Sequence, residues 1–412
     1  MTYTFHLRQG VKFHNGQDFT SADCLYTYEN LAGLNGKQTR SDMMMKAIES
    51  LSAPDSYTFV IKLKESQGGF LGLNICPILP VGYSNHKEMP VGTGPYKFVE
   101  YQLHQRVVLE KNEDYWNKEN SAKIPRVEIY IMSDENAILS ALQSNQLDIG
   151  QMLSAPNAKS LEGKFQLLSF PQNMVQILGF NNSIAPLNNP KVRQAITCAI
   201  DKQKVIDGAM DGFGTVLYSN FSPILGAYYN DKLSSVYKND IALSKSLLAE
   251  AGYPKGFKLK ITVPGNYRIH VDTAQIIAEE LAKVGIDCEI ETVEWTTWLD
   301  KVYTKFDYQA TVIAFGGKLE PSEVLRRYYS SYKRNFTRFN SPVFDETFDK
   351  AQRETNQEKR VRYYKYCQEL LTKSAPAVFI ADPNNTILLR KDIRGYESYP
   401  ILFYNFAKIY FE

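Results

Sequence analysis

The chain opens on alternating apolar and polar positions, with three apolar side chains on one face: Tyr3, Phe5 and Leu7. This period of two predicts a half-buried β-strand, and residues 56–63 alternate in the same way. Between these strands, residues 22–31 follow Thr20 and Ser21, either of which can cap a helix, and Asp23 places a negative charge in its first turn. The first part of the chain is therefore expected to mix strands and helices.

An apolar stretch from Val175 to Phe180 predicts a buried strand near the middle of the chain. A turn-rich connector follows, and Asn189 and Pro190 then suit the N-cap and the first position of a helix. The apolar positions of this helix fall on one face: Val192, Ala195, Ile196, Ala199 and Ile200. Such a face needs a core to cover, so we expect this helix to be scaffold.

Strands and helices alternate through the rest of the chain. The predicted strands are 258–263, 286–293, 308–315, 377–380 and 386–389, and the predicted helices are 272–284, 297–303 and 358–373. Residues 308–315 are almost wholly apolar, which is typical of a strand buried on both faces. The alternation predicts an α/β fold.

Composition narrows the class of protein. The chain has 412 residues, enough for two to three domains, with 44% apolar and 22% charged residues. The net charge is only +2, and basic residues cluster only in short pairs such as Arg326-Arg327. The sequence therefore lacks the basic patch that nucleic-acid binding requires. No apolar run has the length of a membrane span. The five cysteines are widely spaced without a CxxC pair, so we interpret them as small buried residues.

Motifs for catalysis are absent from the sequence. It contains no G-x-S-x-G elbow, no H-E-x-x-H and no P-loop, and its five histidines are scattered. The glycine-rich stretch 92–95 leads into a predicted strand, whereas a phosphate cradle needs a helix after its glycines. We therefore expect neither an enzyme nor a metal or cofactor site.

The loops after three predicted strands carry the candidate binding residues. In open α/β sheets, ligands bind beyond the carboxyl ends of strands. The loops would supply aromatic rings, one cation and accessible backbone, which together suit a small-molecule pocket: Tyr267, Arg268, Trp298, Phe315, Gly316 and Gly317. The competing interpretation is that the tryptophans are packing residues and that Arg268 is a solvated surface group.

Several motifs, in order and over essentially the whole chain, resemble one family. They are Tyr3-Thr-Phe-His-Leu-Arg-Gln-Gly-Val-Lys-Phe-His-Asn-Gly16, Thr20-Ser-Ala-Asp23, Gly92-Thr-Gly-Pro-Tyr96, Asn188-Asn-Pro-Lys-Val-Arg-Gln-Ala195, Glu250-Ala-Gly-Tyr-Pro-Lys-Gly-Phe257 and Arg394-Gly-Tyr396. The chain is similar to the peptide/nickel-type extracytoplasmic solute-binding proteins of ABC importers, which include dipeptide- and oligopeptide-binding proteins.

The resemblance implies a two-lobed, periplasmic-binding-protein-like (type II, Venus-flytrap) α/β fold, with an extra subdomain in lobe I, that closes on a solute without catalysis. Lobe I would comprise residues 1–180 and 381–412, and lobe II residues 181–380. The crossings are expected near residues 180 and 380, with residues 180–183 as hinge candidates.

Two departures from the family pattern bear on function. Family members carry several dozen residues before the position of Tyr3, so we expect that this part of lobe I and an export signal are missing from the sequence. Peptide-binding relatives also place an aspartate after the buried strand, where it pairs with the peptide's amino terminus. Gly317 holds that position here and cannot supply the charge-assisted bond, and Lys318 would repel an ammonium. Glu320 could substitute, although beside Pro321 it is better suited to starting the next helix.

The leading hypothesis is therefore an extracytoplasmic receptor, periplasmic or a cell-surface lipoprotein, that passes a peptide or similar polar solute to ABC transporter permease subunits. We expect a monomer, with Trp298 and Phe315 stacking on the solute, Arg268 binding an anionic group and the backbone at Gly316-Gly317 allowing close approach. One alternative is an oligosaccharide- or metal-chelate-binding member of the family. The other is an intracellular solute-sensing or regulatory lobe of the same fold.

Overall fold

A computed structural model describes residues 1–34, 47–151, 153–401 and 403–412. The strands in these ranges are β1 Thr2–His6, β2 Ile48–Asp55, β3 Thr58–Leu63, β4 Tyr96–Gln102, β5 Arg106–Lys111, β6 Arg126–Tyr130, β7 Ile149–Gly150, β8 Gln166–Pro171, β9 Met174–Phe180, β10 Gly214–Val216, β11 Lys258–Pro264, β12 Asp287–Val293, β13 Ala310–Gly316, β14 Ala377–Leu389, β15 Ile393–Arg394 and β16 Tyr410–Phe411. The α-helices are Ser21–Ala32, Phe70–Leu73, Glu135–Gln143, Ala155–Ser160, Pro190–Ala199, Lys202–Ala209, Ile241–Glu250, Arg268–Ala282, Trp295–Trp298, Pro321–Leu325, Pro342–Arg353 and Gln357–Ser374.

The largest sheet has the strand order β10-β14-β9-β13-β11-β12. Strand β11 runs parallel to β12 and β13, whereas β9 is antiparallel to both β13 and β14. Alternate residues of β9 enter different cores, Val175 and Ile177 one and Leu178 and Phe180 the other. Since side chains alternate across a strand, these cores lie on opposite faces of the sheet. This arrangement explains why residues 308–315 are almost wholly apolar.

Smaller sheets form the rest of the molecule. Strands β1, β3 and β2 form one sheet, and its core includes Cys24 of the helix Ser21–Ala32 and Phe59 of β3. Strands β4, β5 and β6 form a second, separate sheet, and β15 pairs with β16. Thr20, one of the two predicted caps, is the N-cap of the helix Ser21–Ala32, and Asp23 completes a capping box by accepting from the Thr20 backbone N–H.

Strand β14 joins two parts of the molecule. One is the large-sheet part, with β9 to β13, and the other contains β7, β8 and the smaller sheets. Residues 377–381 pair with β9 in the large sheet, and residues 384–389 pair with β8. Gln172-Asn173, between β8 and β9, and Asp382-Pro383, in the middle of β14, therefore lie where the pairing changes from one group of strands to the other. Asp382 holds the two segments together, because its Oδ1 accepts hydrogen bonds from the backbone N–H groups of Gln172 (3.1 Å) and Met174 (3.0 Å).

Residues 180–183 lie at the other end of β9 from this junction. Asn182 is fixed inside the large-sheet part, where its Nδ2 donates to the carbonyl oxygens of Thr337 (2.9 Å) and Pro376 (3.1 Å). The two late strands expected around residues 382–385 are in fact the single strand β14. The segment between them, residues 382–385, stays extended because each half of the strand pairs with a different partner.

Candidate functional site

The carboxyl ends of three strands meet at one edge of the large sheet. Strands β11, β12 and β13 end at Pro264, Val293 and Gly316, and the parallel pairing places these ends side by side. Gly316 also pairs with Met174, the first residue of β9 after the crossing. The loops that follow the three strands therefore lie beside the junction between the two parts of the molecule, as the strand-end rule predicts.

Two of these loops are bound to each other. Asn266 Nδ2 donates to Glu294 Oε2 at 3.1 Å, and the Trp295 backbone N–H donates to Asn266 Oδ1 at 3.0 Å. The rings of Tyr267 and Trp295 meet edge to face with centroids 5.5 Å apart. Tyr267 is 44% exposed and Trp295 is half-buried, so the pair presents an aromatic surface to solvent.

Arg268 is solvated and pairs with a residue of its own helix. The helix predicted to begin at Asp272 in fact begins at Arg268, with Tyr267 as an N-cap that makes no side-chain hydrogen bond. The Arg268 side chain is 91% exposed and its Nε lies 3.2 Å from Asp272 Oδ2, one helical turn further on. An exposed pair of this kind is screened by water, so Arg268 matches the competing interpretation of a solvated surface group.

Trp298 lies in the core rather than at the surface. Its side chain is 1% exposed, and Nε1 donates to Thr311 Oγ1 at 2.9 Å. The ring stacks on Trp295 with centroids 5.3 Å apart and planes inclined by 4°. The face of Trp298 is therefore not available to a solute in this conformation, and the aromatic ring that reaches the surface is Trp295, which was not among the predicted binding residues.

The two glycines after β13 have different surroundings. Gly316 is exposed, and a Cβ added there would meet no atom within 4 Å. A Cβ added at Gly317 would overlap the carbonyl oxygen of Asn173, to which the Gly317 N–H donates a hydrogen bond. Asn173 has a φ of 54°, in the left-handed region that asparagine tolerates better than most residues. The loop after β13 is thus anchored directly to the crossing.

Phe315 lies between another aromatic ring and a cation. Its centroid is 5.4 Å from that of Phe336, and the guanidinium carbon of Arg327 is 3.9 Å from the Phe315 ring centroid. In the sequence, Arg327 is distinguished only as half of the basic pair Arg326-Arg327. Burial lowers the pKa of Arg327 from its usual value, and its Nη1 is buried without a hydrogen-bond partner among the described residues.

Glu320 is engaged elsewhere. It caps the helix Pro321–Leu325 by accepting from the Ser322 N–H at 3.3 Å, and it forms a buried ion pair with Arg360. The two side chains are 4% and 5% exposed. A Cβ on Gly69, from the other part of the molecule, would overlap the Glu320 carboxylate. Glu320 therefore stabilises the helix start and the contact between the two parts, and it cannot take the place of the missing aspartate.

The described residues contain no disulfide, no cluster suited to a metal ion and no helix that could span a membrane. All five cysteines are free thiols, and Cys24, Cys198 and Cys367 are buried. Within the ranges that the structure describes, no group of three or more His, Cys, Asp or Glu side chains could hold a metal ion. In the same ranges, no helix combines the length and apolar character needed to cross a bilayer.

Comparison with known proteins gives the family. Heme-binding protein A of Haemophilus influenzae is 28% identical, over 97% of this chain and 79% of that protein. A periplasmic binding protein of Helicobacter pylori, DppA, solved with the peptide STSA, is 26% identical with a TM-score of 0.81, over 100% of this chain and 86% of that one. The ABC transporter substrate binding protein CtaP of Listeria monocytogenes shares the fold at 22% identity, with a TM-score of 0.88, over 100% of this chain and 88% of that one. The family model for bacterial extracellular solute-binding proteins, family 5, matches residues 1–336, so the chain belongs to this family and has its two-lobed fold.

Proposed function

We propose that this protein is the receptor of an ABC importer and that it binds a peptide, or a polar solute of similar size, between its two lobes. The observation that carries this proposal is the double crossing at Asp382, where β8 and β9 pair with successive halves of β14. A junction of two extended passages suits a hinge, because small changes of φ and ψ there move one lobe against the other. The peptide complex of the Helicobacter pylori protein supports the class of solute.

The hinge proposal refines the expected lobe boundaries. The crossings would lie at Gln172-Asn173 and Asp382-Pro383 rather than near residue 180, because residues 181 and 182 are bonded within the large-sheet part. Lobe I would then comprise residues 1–171 and 384–412. The loops after β11, β12 and β13 would form one wall of the cleft between the lobes.

The residues of this wall are expected to contribute to solute binding in different ways. The exposed face of Tyr267 and Trp295 would stack on an apolar or aromatic group of the solute. The exposed backbone at Gly316 would allow close approach and hydrogen bonding, and Phe315 would line the floor behind it. Arg268 would contribute long-range attraction rather than a direct contact, because it is solvated and paired with Asp272. Trp298 would support Trp295 from the core.

Binding in such a receptor requires no chemistry on the solute. The receptor would act outside the cytoplasm, bind its solute on closure and release it when the permease subunits stabilise the open form. Our proposal includes a signal peptide for export and a lipid anchor that attaches the receptor to the membrane.

Thermal unfolding with a panel of solutes tests the proposal, because a ligand that binds only the folded state raises the midpoint temperature. The panel is alanine peptides of two to five residues, maltotriose as an uncharged oligosaccharide, and hemin. We expect at least one peptide to raise the midpoint and maltotriose to leave it unchanged. A shift with maltotriose or hemin and none with any peptide would overturn the choice of solute.

A further inference from the structure

Two arginines of the large-sheet part are buried, Arg193 and Arg360, and a third, Arg327, is half-buried with its Nη1 out of contact with solvent. The three differ in their partners. Arg193 donates to three backbone carbonyls, those of Leu187 (2.7 Å), Ser374 (2.9 Å) and Ala375 (3.0 Å). Arg360 pairs with Glu320 and donates to Tyr228 Oη at 2.6 Å. Arg327 has no hydrogen bond and no carboxylate within 4.0 Å in the described part of the chain, and the Phe315 ring is its nearest aromatic neighbour at 3.9 Å.

An unpaired buried cation is costly. Removing a charged group from water costs several kcal/mol unless a counter-charge or hydrogen bonds replace the lost hydration. The cation–π contact with Phe315 replaces only part of it, on the order of 1–2 kcal/mol. A solute group that accepts a hydrogen bond from the buried Nη1 would therefore offset this cost.

Arg327 lines a small cavity at the proposed binding wall. The cavity has room for about one water molecule, and its lining includes Asn173 at the crossing, Phe315, Gly316 and Gly317. An oxygen atom of a carboxylate occupies about the same space as a water. Gly316 forms an exposed part of the lining, so the cavity lies close to the surface where the solute is proposed to bind.

We propose that Arg327 is the anchor for an anionic group of the solute, a carboxylate, which enters this cavity beside Gly317. This inference rests on the proposed receptor function and specifies its solute. An anion site would also explain why residue 317 is a glycine. Peptide-binding relatives are expected to carry an aspartate at this position, where it binds an ammonium group. With that carboxylate absent, and with Lys318 exposed beside the cavity, the local charge favours an anion over an amine.

The test compares a tripeptide with and without its negative charge. Trialanine and trialanine amide differ only at the C-terminal group, and succinate is a dicarboxylate that is not a peptide. Affinities are measured by titration calorimetry on the whole chain for the wild type, Arg327→Gln, Arg327→Lys and the neighbouring control Arg326→Gln. Arg326 is a fair control because it is half-buried and already lies 3.8 Å from the Glu323 carboxylate.

We expect the wild type to bind trialanine about ten- to a hundredfold more tightly than the amide, as for a charge-assisted hydrogen bond. Arg327→Gln should lose that preference, Arg327→Lys should recover part of it, and Arg326→Gln should keep it. The solute-free Arg327→Gln protein should be at least as stable as the wild type in urea, because an unpaired cation has been removed.

Equal affinity for the acid and the amide would overturn the anion anchor and leave peptide binding intact. Unchanged binding of trialanine by Arg327→Gln would overturn it as well, and so would a marked loss of solute-free stability in that variant. If neither tripeptide binds but succinate binds the wild type and not Arg327→Gln, the anchor stands for a carboxylate that is not part of a peptide. If none of the three probes binds the wild type, the anchor fails, whereas the peptide proposal fails only if no alanine peptide of the thermal panel gives a shift.

Discussion

The Gly317 N–H donates a hydrogen bond to the carbonyl oxygen of Asn173, which links the end of β13 to the crossing between the two parts of the molecule. The contact leaves no space for a side chain, because a Cβ at Gly317 would overlap that same oxygen. Asn173 also donates from its Nδ2 to the carbonyl oxygen of Pro400 at 2.9 Å. The crossing, the wall of the proposed cleft and the C-terminal segment thus meet at one residue.

The first prediction concerns the two glycines of this loop. Gly317→Ala should lower the free energy of unfolding by about 1–3 kcal/mol, because the methyl group forces the backbone at Asn173 to move. Gly316→Ala is the matched control and should stay within about 0.5 kcal/mol of the wild type, since its Cβ would enter open space. Urea unfolding measures both values. Equal stability of the two variants would show that the contact with Asn173 is not tight.

A second prediction separates the two stacked tryptophans. Trp298→Ala should cost about 3–5 kcal/mol of unfolding free energy without any solute, because it opens a cavity in the core. Trp295→Ala should cost less, since that ring is half-buried, yet it should weaken solute binding by removing an exposed face. Urea unfolding and calorimetry with trialanine give the two readouts. A stable Trp298→Ala protein with lost binding would instead return Trp298 to the binding site.

The third prediction concerns the buried pair of Glu320 and Arg360. Glu320→Ala should destabilise the protein by about 3–5 kcal/mol, because it leaves the Arg360 cation buried without its partner. The double variant Glu320→Leu with Arg360→Met should recover much of this loss, since both charges are removed together. The exposed pair of Glu346 and Lys350 offers a control in which Glu346→Gln should change stability very little. Additive effects of the two single changes at 320 and 360 would argue against coupling.

A fourth prediction is a dependence of stability on pH. His270 is buried against Gln176, whose Nε2 lies 3.1 Å from its Nδ1, and burial lowers the pKa of His270 from 6.5 to about 4. Between these two values the unfolded chain binds the proton and the folded chain does not, so stability falls as the pH falls through this window. At up to about 1.4 kcal/mol per pH unit, the loss is on the order of 3 kcal/mol.

The variant His270→Gln isolates this effect, because it keeps a polar group near Gln176 and cannot titrate. Its free energy of unfolding should fall less than that of the wild type between pH 7 and pH 4.5. His104→Gln, at an exposed position, should follow the wild type. Parallel curves for the wild type and His270→Gln would mean that His270 takes up its proton equally in both states.

Elements with strong local signals were predictable from the sequence. The helix Ser21–Ala32 begins at Thr20 because Thr20 and Asp23 satisfy each other's backbone groups, and both residues are visible in the sequence. By contrast, the helix that contains Arg268 begins at Tyr267 without a side-chain cap, so its first turn left no local signal and Arg268 was assigned to a loop. Long-range packing of the helix against the sheet fixes that start.

The binding residues were predictable only as a region. The sequence indicates which strands end together, but not which ring faces outward, and the stacking of Trp295 on Trp298 is a tertiary outcome. The isolation of Arg327 was beyond sequence reasoning for a similar reason. Glu320 lies closer to Arg327 in the sequence than to Arg360, yet it pairs with Arg360, and only the fold shows which of the two arginines lacks a carboxylate.

The two lobes, joined at Asn173 and Asp382, are proposed to close on a solute. Small-angle X-ray scattering tests this closure most directly, with the solute-free protein compared before and after addition of saturating trialanine. We expect a smaller radius of gyration with the peptide, and the same decrease with trialanine amide only at a ten- to hundredfold higher concentration. A radius of gyration that stays the same when calorimetry shows trialanine bound would contradict closure of the lobes on the solute.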